Sequence, residues 1–132
     1  MNTPILIASI LTLIYFLIHA FLYDREFKLI EPRIDQDENQ FLLSKWTMER
    51  CGWHLVSLDL LFATIGLGLI NFTDFFENEN TLLQILAVYF LGYAIVWLLI
   101  ISISKQFKKN YLILGNWFFL LTISGLIFYG IN

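Results

Sequence analysis

One cysteine, two histidines and two prolines are all that 132 residues hold of those types. The lone Cys51 excludes an intrachain disulfide and every metal motif built on a pair of cysteines. With prolines only at Pro4 and Pro32, long stretches have no residue that would break a helix. Charge is scarce too. Asp, Glu, Lys and Arg make up 14% of the chain, against about 25% in a water-soluble domain. The net charge of −3 provides no basic field, so nucleic acid is not an expected partner. The chain also lacks H-E-x-x-H, G-x-S-x-G, a glycine-rich phosphate loop and a paired-carboxylate signature, so no local motif argues for an enzyme.

What is abundant is hydrocarbon. Hydrophobic residues make up 58% of the chain, thirteen of them Phe, and the mean hydropathy is +0.71. Four apolar runs, 4–23, 51–71, 82–104 and 111–131, each reach the roughly 20 residues a helix needs to cross a bilayer. Backbone polar groups cannot stay unpaired in lipid, and barrel strands would be about 10 residues long with alternating polarity. The runs are longer and do not alternate. They predict an all-α fold, a single-domain antiparallel bundle of four transmembrane helices. No Lys or Arg precedes the first run and no small-x-small pattern follows it, so it is expected to be a retained span and not a secretory signal.

The charges predict an orientation. Arg25, Lys28, Arg33, Lys45 and Arg50 lie in the first connection, 24–50, and Lys105, Lys108 and Lys109 in the third. Together they are all eight basic residues. By the positive-inside rule both connections face the cytoplasm. Both termini, and the connection carrying Asp74, Glu77 and Glu79, then face outward. The expected location is the cytoplasmic (inner) membrane, with multiple passes. The spacing of Phe41, Lys45, Trp46, Glu49 and Trp53 is helical, so the second helix is expected to begin ahead of its span.

Small and polar residues in a bundle tend to face other helices. The first helix has such a stripe at Ala8, Thr12, Tyr15, His19 and Tyr23. The second has two, Gly52, Val56, Asp59, Ala63 and Gly66 beside His54, Ser57, Leu61, Thr64 and Gly68. The third offers Tyr89, Tyr93 and Trp97, and the fourth Gly115, Thr122, Gly125 and Tyr129, with Asn116 alongside. At 1.5 Å per residue, His54, His19, Asn116 and Asp59 lie about 6, 7, 9 and 13 Å in from the cytoplasmic boundary. An Asp at a helix centre costs roughly 2.5–3.5 kcal/mol, which makes Asp59 conspicuous. The candidate site is therefore a polar cluster of His19, His54, Asp59 and Asn116 in the cytoplasmic leaflet, with Tyr15 and Trp97 around it. Asp59 lies about 140° around the helix from His54, so the second helix cannot form the site alone.

Several chemistries suit these groups. His19 and His54 are imidazoles that could ligate a transition metal or haem, with Asp59 or Cys51 nearby. Intramembrane ionisable groups also mark proton or solute pathways. Four helices are few for that purpose, and a homodimer would be needed to enclose a path. An acid–base pair beside Arg25, Lys28 or Arg50 would suit a lipid- or quinone-acting enzyme. The plain alternative is an accessory or structural subunit of a larger membrane complex, whose histidines and Asp59 hold helices together.

His19, the charged stretch ending at Pro32, and Cys51-Gly52-Trp53-His54 followed by Ser57 resemble a pattern of small bacterial four-span inner-membrane proteins of uncharacterised activity. The resemblance covers the first two helices. Gly52 interrupts a Cys-Trp-His segment that is contiguous in that pattern, and Asp59 goes beyond it. What the resemblance implies is the four-span architecture and a shared importance of His19 and His54.

Overall fold

A computed structural model of the chain describes residues 1–32, 38–104 and 110–131. Arg33, Lys105, Lys108 and Lys109 lie outside the described residues. Among the described residues the structure is helical and contains no strand. Helix α1 (Thr3–Leu17) passes through a π-helical turn (Ile18–Leu22) into α2 (Tyr23–Leu29). Helix α3 spans Glu38–Phe72, α4 Glu79–Ile103, α5 Asn110–Ile113 and α6 Asn116–Ile131.

Three helical segments are long and apolar enough to cross a membrane: Thr3–Leu29, Gln40–Phe72 and Glu79–Ile103. These are the features of an α-helical membrane protein. The early start expected for the second helix is present: α3 begins at Glu38, well ahead of the apolar run at 51–71. Its 35 residues amount to about 52 Å at 1.5 Å per residue, more than the roughly 30 Å of bilayer hydrocarbon.

The fourth apolar run departs from the expected single helix. A turn at Leu114-Gly115 divides α5 from α6, and α6 is left with 16 residues. A break in a helix leaves backbone carbonyls without intrahelical partners, each costly if buried unpaired. Two indoles take them here. Trp97 Nε1 donates to the Leu114 carbonyl at 3.0 Å and Trp117 Nε1 to the Tyr111 carbonyl at 2.9 Å. The Gly115 carbonyl accepts from Phe118 N–H at 3.0 Å, starting the next helix.

The chain forms two compact units, Met1–Leu11 with Ile65–Asn132, and Thr12–Thr64. In the first, α4 packs against α6. Helix α4 buries Leu83, Ala87, Phe90, Ala94 and Ile101, and α6 buries Leu120, Ile123, Ser124 and Ile127. This corrects two expected faces. Tyr89 is exposed, as are Gly125 and Tyr129, while Tyr93, Trp97, Gly115 and Thr122 are half-buried. The small residues that permit close approach are mainly the α4 alanines, and α6 answers with larger aliphatic side chains. Ser124 Oγ also donates to the Ala87 carbonyl at 2.7 Å, satisfying its hydroxyl in an apolar contact.

The N-terminal residues fasten the same unit. Asn2 N–H donates to Asn71 Oδ1 at 2.7 Å, and Asn2 Nδ2 to the Gly130 carbonyl at 2.6 Å. Gly130 is required by this close approach. A Cβ there would stand 2.5 Å from Ile5 Cδ1 and 2.8 Å from Ile5 Cγ1. Gly130→Ala is expected to cost about 1–3 kcal/mol through overpacking, read as a lower thermal midpoint in detergent. Adding Ile5→Val removes the nearest atom and should restore part of the loss.

Candidate functional site

The unit Thr12–Thr64 holds the groups with chemistry. Its inward face on α3 is Trp46, Arg50, Trp53, Ser57 and Leu60, at 4-3-4-3 spacing, which puts them in one line down the helix. Opposite them stand His19 on the π-helical turn, then Tyr23, Asp24 and Phe27 on α2. Hydrogen bonds pair 27 with 46, 24 with 50 and 19 with 53 and 57, an antiparallel register.

The π-helical turn positions His19. In this wider turn Tyr23 N–H reaches back five residues, to the Ile18 carbonyl, and the His19 carbonyl instead accepts from Trp53 Nε1 at 2.8 Å. The same indole lies flat on the His19 imidazole, with centroids 3.8 Å apart and planes at 3°. Tyr15 and Tyr23 meet the imidazole edge-on, and Tyr23 and Phe27 pack on the indole. His19 is 2% exposed.

Ser57 links the ring to α3: its Oγ stands 2.9 Å from His19 Nδ1 and 3.3 Å from the Trp53 carbonyl. In a neutral imidazole one ring nitrogen donates and the other accepts, so the tautomer sets which way the His19–Ser57 bond runs.

A second group lies where the polar extension of α3 begins. Asp24 Oδ1 accepts from Arg50 Nε at 2.7 Å and from His54 Nε2 at 3.0 Å, while Lys28 Nζ stands 3.3 Å from Oδ2. Arg50 also lies over the Trp46 ring, 5.2 Å from its centroid. Trp46 Nε1 donates to the Phe27 carbonyl at 3.0 Å and so tethers the end of α2. Beside this group a groove of about 570 Å³ is lined by Trp46, Thr47, Arg50, Cys51, His54 and Leu55.

The expected four-residue cluster is thus divided among different partners. His19 is held by Ser57 and Trp53, and His54 by Asp24. Asp59 is half-buried two residues past Ser57, and it has a partner. Asn116 opens α6 and belongs to the other compact unit, as does Trp97, whose indole closes the Leu114 break. Tyr15 does stand against His19. Among the described residues no group of three His, Cys, Asp or Glu is placed to hold a metal ion. Asp24 was not a candidate in the sequence, where it only marks the end of an apolar run. The available signals were Lys28 four residues on and the 4-3-4 spacing of Trp46, Arg50, Trp53 and Ser57. No protein-family model, curated protein or solved structure matches the chain.

Proposed function

We propose that the chain is a four-span protein of the cytoplasmic membrane, with both termini outside, whose histidine cluster takes up and passes protons at the cytoplasmic leaflet. The eight basic residues, all in connections assigned to one side, support the orientation. The fourth span is α5 and α6 together, since α6 alone is about 24 Å long at 1.5 Å per residue. Grouping with the small bacterial four-span proteins that it resembles is part of the same reading.

The observation that carries the function is the state of His19. The ring is buried and hydrogen-bonded through Nδ1 to Ser57, and an imidazole can carry a proton on either nitrogen. Along α3 the ionisable groups run inward from His54 to Asp59, about 7 Å of rise. The separate partners of His19 and His54 favour proton handling over a metal or haem held by that pair.

The test is proton flux into liposomes carrying the reconstituted protein and an internal pH dye, driven by a potassium diffusion potential. Wild type is expected to exceed protein-free vesicles. His19→Phe, which keeps an aromatic ring against Trp53, is expected to fall to the protein-free rate. Equal flux for wild type and empty vesicles overturns the reading, and so does full flux in the His19→Phe protein.

A further inference from the structure

Helix α3 has a second ordered face within the unit Thr12–Thr64. Phe41, Met48, Leu55 and Phe62 recur every seven residues, with Cys51 and Leu58 between them at alternating steps of three and four. Their exposure runs from 45% at Leu58 to 71% at Met48 for the large side chains, and Cys51 is exposed too. This is the a/d spacing of a helix that packs along another helix. It points away from the Trp46–Arg50–Trp53–Ser57 face that holds the unit together.

Lipid covers only part of this stripe. Leu55, Leu58 and Phe62 lie in the apolar run. Phe41 and Met48 lie ahead of it, among Lys45, Glu49 and Arg50, where there is no hydrocarbon core. An occupant that covers the whole stripe must itself change from water-facing to lipid-facing at the same height. Helix α3 of a second copy meets that condition by construction, because copies inserted the same way share one orientation and one boundary. From Phe41 to Phe62 the stripe is about 32 Å long at 1.5 Å per residue. Near its middle the side chains are small. Beside Cys51 is Gly52, where an added Cβ would meet nothing within 4 Å, so two helices can approach closely there.

We propose that the protein forms a parallel homodimer along this stripe, α3 against α3, with the two Cys51 residues facing each other across the seam. In such a pair the heptad relation sets His54 of one copy beside the level of Asp59 of the other. The seam thus adjoins the ionisable residues of α3.

Cys51 makes the test direct, since it is the only cysteine in the chain and a disulfide forms only when Cα atoms come within about 7 Å. Mild oxidation of the full-length protein in its membrane is expected to give a species of twice the 15.5 kDa chain mass, lost in Cys51→Ser. In the Cys51→Ser background, Met48→Cys and Leu58→Cys should restore the dimer. Leu42→Cys and Glu49→Cys, exposed positions off the stripe, should not. Absence of the Cys51 dimer, equal crosslinking on and off the stripe, or an adduct with another protein would each overturn the proposal. Crosslinking reads the proximity of two helices and not proton flux, so this proposal and the proton reading fail separately.

Discussion

Trp53→Ala is expected to destabilise the unit Thr12–Thr64 by about 2–4 kcal/mol, from an aromatic stack of about 0.5–1.5 and an orphaned carbonyl of about 1–3 kcal/mol. One side chain supplies both. Its ring lies on His19 at 3.8 Å, and its Nε1 takes the His19 carbonyl at 2.8 Å. In lipid the usual transfer penalty for exposing the neighbours is small, because acyl chains are as apolar as the core. The loss therefore comes from packing and the hydrogen bond. Trp53→Phe separates the two: it keeps an aromatic face and loses only the donor, so it should retain the stacking share. Unfolding in mixed detergent micelles, followed by Trp fluorescence for the remaining indoles and by helicity, reads both variants. Equal stability of wild type and Trp53→Ala would mean that the π-helical turn does not depend on Trp53.

Asp24→Ala is expected to lower the thermal midpoint more than removal of any one of its partners. Asp24 is the acceptor for Arg50 and His54 and lies beside Lys28. Without it, positive groups are left facing one another at the edge of an apolar region. Removing one side of an ion pair leaves an uncompensated charge, whereas replacing both sides with apolar groups is often neutral. Asp24→Ala with Arg50→Met should therefore recover much of what Asp24→Ala loses. Strict additivity of the two losses would show that the pair does not act as one unit. Lys28→Ala, the most exposed partner with 62% of its side chain open, should change little, as is usual for surface ion pairs.

These two variants concern residues that the sequence made visible unequally. Trp53 and His54 stand out as an aromatic and an imidazole at the start of an apolar run. Asp24 does not, because a carboxylate just past a membrane span is ordinary. Its role depends on Arg50 and His54 reaching it from a helix 26 and 30 residues away in the chain, and no local pattern encodes that distance. The π-helical turn is equally silent in the sequence. Ile18 to Leu22 reads as a continuation of α1, and the Trp53 indole that takes the His19 carbonyl comes from another helix, 34 residues away.

The sequence by itself determined the class of structure. Long uncharged runs permit only helices in lipid, since every backbone group must be paired within the segment. The 3.6-residue repeat likewise set most of the stripe of the first helix: Ala8, Thr12, Tyr15 and His19 are buried, and Tyr23 is half-buried. Tertiary structure decided which polar groups meet. Of the four residues expected in one leaflet, His19, His54, Asp59 and Asn116, the two histidines were given separate partners by rotation about their helices. Depth along a helix follows from counting residues, whereas facing depends on the helix packed opposite. For that reason His19 acquired Ser57 and Trp53, and His54 acquired Asp24, a residue that counting alone had placed at the edge.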